Sequence, residues 1–322
     1  MKSKIIAIQG DASFRKFYRI TLEKKNKIIV TAKKNKYKNL IVYAAINNFL
    51  IQNKINAPKL YSHNYTKGIL IIEDFGDLSF RQILVKKNNK LKIYKKIVDL
   101  LLKIQRIKPK TKIKNIYNKN YILKKYSTNF LHSESDLFFQ WYLPLFLSRK
   151  KTLIIKKKVK KILSKLYKKI YFPNSHFVHR DYHVENLMKV GNKIGVIDSQ
   201  DALIGNPAYD LVSLIDDVRI KTSKMLKKKI YNYYIKKTFS IYRNNQENFE
   251  NDFNILSIQR SLKIIGIFAR LFKRDKKKKY LKYIPYMWKL LENRMGSRLF
   301  MELQKILDEN IKKNNRQKVF YK

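Results

Sequence analysis

The chain contains no cysteine. This excludes disulfides and thiolate metal sites, and it fits a reducing compartment, the cytoplasm. No apolar run approaches the roughly 18 residues that a membrane-spanning helix needs. The apolar patch near the start, Ile5 to Ile8, is too short for a signal peptide. Negative charge is scarce: 23 Asp and Glu stand against 73 Lys and Arg, a formal charge of +50. Such an excess raises nucleic acid or an anionic membrane surface as a partner. Two features argue otherwise. The basic residues are mostly lysine and run along the whole chain. Asn, Ile and Tyr are abundant beside them, and all four residue types share A/T-rich codons, so a base bias enriches them together. The sequence therefore predicts no specific nucleic-acid partner, only salt-sensitive adhesion to polyanions.

What is present points to a globular protein. The hydrophobic content is 45%, and 322 residues can bury a large core in two lobes. The organising stretch runs from Ser175 to Tyr209. It holds His179-Arg180-Asp181, then Asn186 five residues after the aspartate, then Asp198 at the end of the apolar run from Ile194. A kinase catalytic loop uses its parts in this order. Phosphoryl transfer asks a protein mainly for positioning and charge neutralisation. Asp181 is placed to accept the proton of the attacking hydroxyl. Asn186 and Asp198 offer oxygens to Mg2+ on the phosphates of ATP, a hard ion on hard ligands. His176 to Val178 reads as a strand. Leu187 to Val190 and Ile194 to Ile197, turning at Gly191-Asn192, read as a hairpin that brings Asn186 and Asp198 together. His179 and His183 are four apart, but the HExxH order of a zinc helix is absent. His179 and Arg180 read as braces of the loop.

Upstream, residues 4 to 34 read as a two-stranded opening. The turn Gly10-Asp11-Ala12-Ser13 can aim backbone N–H groups and the Ser13 hydroxyl at phosphates. Lys33 and Lys34 follow the second β-prone run, and neither is singled out as a nucleotide lysine. A helix is predicted over 39–52, a buried strand over 68–76, and a lobe boundary near Asp74 to Asp77. Helix is predicted over 78–107 and, in two pieces, over 120–147. A basic amphipathic helix spans 154–170, residues 201–207 form a loop, and Asp210 is an N-cap or a loop brace. Helices follow to 310. The most apolar of them, Ile255 to Phe272, carries Arg260 and Arg270, and a buried arginine requires a carboxylate or a ligand anion.

These segments resemble the bacterial N-acetylmuramate/N-acetylglucosamine anomeric kinases of the aminoglycoside-phosphotransferase superfamily. The resemblance rests on Gly10 to Arg15, Leu70 to Asp77, Phe177 to His183 with Asn186-Leu187-Met188, Ile197 to Ala202, Tyr209 to Leu214, and Gln259 to Leu271. It implies an α+β, two-lobed protein-kinase-like fold. A small N-lobe with an antiparallel sheet, residues 1–76, would bind nucleotide. A mainly helical C-lobe, residues 77–322, would hold catalytic and substrate groups. It implies ATP-dependent phosphorylation of the anomeric hydroxyl of an amino sugar, as in cell-wall sugar recycling. Carried over position by position, Asp181 is the base and Asn186 and Asp198 are the metal ligands. Asp11, Ala12 and Ser13 form the phosphate loop, and Glu73-Asp74 meet the adenine edge. Asp201 and Arg270 are candidates for the sugar. Thr31-Ala32-Lys33 stands where the family often has Asp-Ala-Pro, and Ser199 where an aromatic is expected beneath the metal site. Alternatives are another phosphotransferase of the aminoglycoside or choline type and, in a different class, a basic nucleic-acid-binding protein. A protein kinase is disfavoured, since neither Phe-Gly after Asp198 nor an Ala-Pro-Glu segment is present.

Overall fold

The computed structural model describes residues 5–8, 15–22, 25–33, 37–115 and 117–317. The chain forms two compact units, residues 1–125 with 175–204, and residues 126–174 with 205–322.

The first unit is built on an antiparallel sheet in the order β1-β2-β3-β5-β4. Its strands are β1 (Ile5–Ile8), β2 (Lys16–Leu22), β3 (Lys25–Thr31), β4 (Leu60–Asn64) and β5 (Ile69–Glu73). The opening thus has three strands where the sequence reading had two. Ile5 to Ile8 pairs with Phe17 to Ile20 instead of ending in a loop. In β3 and β5 alternate residues turn inward, Ile28 and Val30 beside Leu70 and Ile72. They pack against Leu40 and Tyr43 of helix α1 (Tyr37–Gln52). This period-two burial is what lets a strand pair bury one face.

Two further helices complete this layer, α2 (Phe80–Lys86) and α3 (Lys90–Gln105). A continuous helix over 78–107 is not formed. Ser79 and Gln82 make a reciprocal capping box for the first, and Asn89 caps the second after Lys87 turns extended. Lys112–Lys114 (β6) pairs with Asn120–Ile122 (β7), so the predicted helix over 120–147 begins only at Thr128. The strands His176–Val178 (β8), Leu187–Val190 (β9), Lys193–Val196 (β10) and Leu203–Gly205 (β11) carry the motif-bearing stretch. β11 pairs with β8, which replaces part of the expected loop over 201–207 by a ladder that satisfies buried backbone.

The second unit is helical: α4 (Thr128–Leu137), α5 (Arg149–Tyr167), α6 (Ala208–Ile215), α7 (Lys224–Lys237), α8 (Ser240–Asn244), α9 (Gln246–Lys273), α10 (Ile284–Arg294), α11 (Met301–Asn310) and α12 (Lys313–Gln317). α4 runs into a π-turn at Phe138–Tyr142 and a 3-10 turn ending near Pro144. α9 is the central element. It packs on α4, on the π-turn, on α6 and on α10, and it buries most of Phe249 to Leu271. Asp210 lies inside α6, fully buried. Pro207 holds the N-cap position, so the N-cap reading of Asp210 is not met. α5 buries Ile155, Val159, Ile162, Leu163 and Leu166 beneath a lysine-rich outer face, as the amphipathic pattern predicts. No described helix is long and apolar enough to cross a membrane.

Candidate active site

The motif residues converge at one end of the β9–β10 hairpin. The hairpin register is Leu187 to Val196 and Val190 to Lys193, turning at Gly191-Asn192. Gly191 has a φ of 55°, the left-handed backbone that a tight hairpin turn demands. Beyond the register, Ile197 N–H donates to the carbonyl of Asn186 at 3.0 Å. Asn186 therefore opens the hairpin and Asp198 leaves it directly alongside.

The loop ahead of the hairpin is held from several sides. His179 is 1% exposed, and its Nε2 meets the Ile197 carbonyl at 3.1 Å. Arg180, at a φ of 72°, donates to the Asp201 carbonyl at 3.1 Å. The Tyr182 hydroxyl, fully buried, donates to the Ile97 carbonyl in α3 at 2.8 Å. The Asp181 carbonyl accepts the Asn186 amide at 3.0 Å and the His183 N–H at 2.9 Å. Asp181 is thereby fixed one short turn from Asn186. Asp198 sits at a φ of 64°. Two non-glycine residues in left-handed backbone within one loop system are a local cost that tertiary contacts must sustain, and such costs cluster at functional sites.

The electrostatics around Asp198 were not foreseen. Arg15, only 5% exposed, donates to Asp198 Oδ1 at 2.7 Å and to Gln200 Oε1 at 2.9 Å. Gln200 Nε2 donates to the same Asp198 oxygen at 3.0 Å and to Asp201 at 3.1 Å. Arg15 also lies over the rings of Phe17 and Tyr43. The buried cation beside the candidate metal carboxylate is thus an arginine at the start of β2. Lys33 is exposed. Arg15 ends the Gly-Asp-Ala-Ser-Phe-Arg sequence motif, and that adjacency was the only sequence signal for it.

The donor set suits a hard divalent cation. Among the described residues, the side-chain oxygen of Asn186 and the second carboxylate oxygen of Asp198 take no hydrogen bond, while the Asn186 amide nitrogen is committed to the loop. No cluster of three or more His, Cys, Asp or Glu side chains occurs among the described residues. Two protein oxygens supplemented by phosphate and water is the coordination that Mg2+ prefers. Ser199, where an aromatic was expected, leaves no looseness. It is fully buried and donates to Asn47 at 2.6 Å.

The other sequence candidates fall as follows. Asp74 is committed to Arg19, at 2.5 and 3.0 Å, and to the Gly76 N–H at 2.8 Å. These bonds and those to Asp77 hold the Arg19 guanidinium firmly charged. Glu73 accepts the Lys59 N–H. Both acids therefore leave backbone rather than side chains for an adenine edge. Asp201 is exposed beside Arg180. Asp11, Ala12 and Ser13, with Lys34, lie outside the described residues. Arg270 belongs to the helical unit, on α9. Its Nε is enclosed without a partner, and burial lowers its pKa.

The chain is similar to known proteins along most of its length. A family model described as "Phosphotransferase enzyme family" matches residues 4–241. Curated N-acetylmuramate/N-acetylglucosamine kinases are similar along nearly the whole chain. That of Pseudomonas aeruginosa is 27% identical over 300 residues, covering 92% of this chain and 85% of its own. That of Pseudomonas putida is 26% identical over 297 residues, covering 91% and 84%. Among solved structures, ADP-bound aminoglycoside phosphotransferase APH(2'')-Ib superposes with a TM-score of 0.60 at 13% identity, over 92% of this chain and 94% of that one. A choline/ethanolamine kinase family protein from Mesorhizobium loti gives 0.61 at 10% identity, over 96% and 93%. These neighbours share the kinase-like fold expected from the sequence. A chain that matches the family model over 4–241, and whose catalytic-loop order is closed by a hairpin at Asn186 and Asp198, belongs to the phosphotransferase enzyme family.

Proposed function

We propose that this enzyme transfers the γ-phosphoryl group of ATP to the anomeric hydroxyl of N-acetylmuramate or N-acetylglucosamine, giving the 1-phosphate, in the cytoplasm. The observation that carries the reading is the Ile197–Asn186 hydrogen bond, which sets the two candidate metal ligands side by side with Asp181 one turn away. The similarity to N-acetylmuramate/N-acetylglucosamine kinases supports the choice of acceptor.

Asp181 takes the proton of the attacking anomeric hydroxyl, with its backbone held by Asn186 and His183 so that the carboxylate does not drift. Asn186 and Asp198 would hold Mg2+, whose positive charge would offset the negative charge that builds on the transferred group. Arg15 keeps one Asp198 oxygen engaged, which would leave the other for such an ion. The lobe of residues 1–76 binds nucleotide through Asp11, Ala12 and Ser13 at the phosphates and through the backbone of Glu73 and Asp74 at the base. Residues 77–322 supply the chemistry, with Asp201 and Arg270 toward the sugar.

The test is ADP release with Mg-ATP across a panel: N-acetylmuramate, N-acetylglucosamine, glucose, an aminoglycoside and choline. Turnover confined to the N-acetyl sugars and abolished by a 1-O-methyl group is expected. Turnover on the aminoglycoside or choline alone would discard the anomeric reading while keeping the chemistry. Asp181→Asn should lower kcat by about 10²–10⁴ with Mg-ADP binding retained; an active Asp181→Asn enzyme would remove Asp181 as the base.

A further inference from the structure

Within the helical unit, α7, α9 and α10 wall a cavity of about 480 Å³, and a second of about 530 Å³ adjoins it. The two share Lys224, Lys227, Leu290 and Asn293. Every lining residue lies between 215 and 294, so neither cavity takes a residue from the stretch that carries Asp181, Asn186 and Asp198. Volumes of this size are those of small-molecule sites.

Lysines alone carry no argument in a chain with 73 Lys and Arg. What sets this place apart is a pair of cations fixed at the cavity wall. Asp216, just past α6, is 2% exposed. It accepts Lys227 Nζ at 2.9 Å and the Nε and Nη2 of Arg294, each at 3.2 Å. The Ile215 carbonyl takes a second Lys227 proton at 2.5 Å. The Arg294 guanidinium also lies over the Phe253 ring, 4.7 Å from its centroid. Both cations are thus held before any ligand arrives, so little side-chain freedom is lost on binding. Donors are left over. Arg294 Nη1 and the third N–H of Lys227 make no hydrogen bond among the described residues. Tyr231 lines the same cavity, and its hydroxyl is enclosed with no partner among the described residues. Exposed Lys224 and Lys228 add to this side. Four cations here meet two carboxylates, of which Asp216 is already engaged and Glu250 is exposed. The adjoining cavity adds Lys221 and Lys289 and no acid.

We infer that this cavity is a second binding site of the protein and that it takes a small sugar phosphate. The surplus donors of Arg294, Lys227, Lys224 and Lys228 meet phosphate oxygens in charge-assisted bonds. Sugar hydroxyls donate as well as accept, which suits the Glu250 carboxylate and the amides of Asn232 and Asn293. A bare inorganic anion would leave most of the cavity unfilled. The site supplies binding alone, and no group transfer is assigned to it. The inference does not depend on the acceptor proposed above.

The test is calorimetric titration of the full-length protein with glucose 6-phosphate at about 0.15 M salt, where loose surface attraction is screened. Inorganic phosphate and glucose are the comparators. Wild type should bind one equivalent of glucose 6-phosphate, about tenfold more tightly than phosphate, the scale of two added hydrogen bonds. Glucose should not bind measurably. The double variant Lys224→Glu/Lys228→Glu should lose about tenfold or more in affinity for glucose 6-phosphate. Both lysines are exposed and form no ion pair among the described residues, so the Tm of the free variant should stay at the wild-type value. Lys157→Glu/Lys158→Glu, on the exposed face of α5, changes the net charge equally and should bind as wild type does. Excess N-acetylglucosamine should not displace the ligand.

Wild-type protein that binds no glucose 6-phosphate overturns the inference. Equal weakening in the two charge-reversed variants overturns it as well, since that marks adhesion to a polycation. Phosphate bound as tightly as glucose 6-phosphate removes the sugar from the assignment. Displacement by N-acetylglucosamine places the ligand at the acceptor site instead and overturns the second site. None of these readouts needs turnover, so failure of the functional reading would leave them unchanged.

Discussion

Gly266 sits in the middle of α9, where two effects of opposite sign compete. On helix propensity alone, Gly266→Ala should stabilise the protein by about 1 kcal/mol. The packing says the reverse. A β-carbon built on Gly266 would come within 2.5 Å of both the Leu137 carbonyl oxygen and the Phe138 nitrogen, and closer still to the Leu137 carbonyl carbon. Ordinary contacts between such atoms lie near 3.5–4.0 Å. The obstacle is backbone at the junction of α4 and the π-turn, so no side chain can swing aside. The two helices must separate by the better part of an ångström over a well-packed interface. Overpacking of this kind costs about 1–3 kcal/mol, occasionally more, and rigid backbone places this case at or above the upper end. The net expectation is a loss of about 2 kcal/mol or more. Both tryptophans, Trp141 and the buried Trp288, lie in the helical unit, so their fluorescence reports its unfolding. With an m-value near 2 kcal/mol/M, the urea midpoint should drop by about 1 M. Gly296→Ala is the control, because its β-carbon would meet nothing nearer than 4.0 Å. A midpoint that rises in Gly266→Ala would refute the steric argument and hand the site to propensity.

Other perturbations have equally definite outcomes. Lys263→Met strands Glu134, a 6%-exposed side chain that also takes the Gln259 amide at 3.0 Å and the Tyr126 hydroxyl. It should cost about 3–5 kcal/mol, while Glu134→Gln with Lys263→Met should cost less than the sum of the singles in a urea-melt cycle. Burial pushes His176 down to about 4 from an ordinary value near 6.5. Between those values the unfolded chain takes up a proton that the folded chain refuses, so stability falls as pH drops through 6.5 toward 4. The urea midpoint should therefore decline less between pH 7.5 and 5 in His176→Asn than in wild type. Arg15→Met should weaken Mg-ADP binding by about tenfold or more in calorimetry, on the scale of a lost charge-assisted contact, whereas exposed Lys33→Met should not. Tighter binding in Arg15→Met would instead mean that Arg15 competes with the metal for Asp198.

The candidate catalytic loop and its hairpin were legible because their determinants are short-ranged. Asp181, Asn186, the turn at Gly191 and Asp198 lie within one run of chain, and the register Leu187–Val196 follows from turn length and alternating apolar residues. The amphipathic face of α5 and the burial of α9 were legible for the same reason, since periodicity is written residue by residue. The misreadings share the opposite cause. Asn120–Ile122 and Leu203–Gly205 become strands because partners at Lys112–Lys114 and His176–Val178 complete a ladder. A three-residue strand has too little pattern to announce itself without its partner. The break at 87–89 was missed because the apolar period continues across it, while Lys87 turns extended and Asn89 caps the start of a new helix.

Charge is where the division is sharpest. The sequence determined that cations vastly outnumber anions and that the candidate phosphoryl-transfer residues occur in order. It said nothing of which cation meets which anion. Arg15 finds Asp198 across 183 positions, and no local rule connects them. Arg260 and Lys263 stand three residues apart on one helix with nearly equal burial, yet Lys263 pairs with Glu134 on α4 while Arg260 forms no ion pair among the described residues. Three residues along an α-helix turn a side chain by most of a full revolution but not all of it, and that remainder points the two cations at different neighbours. Local sequence set the helix and its charges. Only the packing of α9 against α4 decided that Lys263 is neutralised by Glu134.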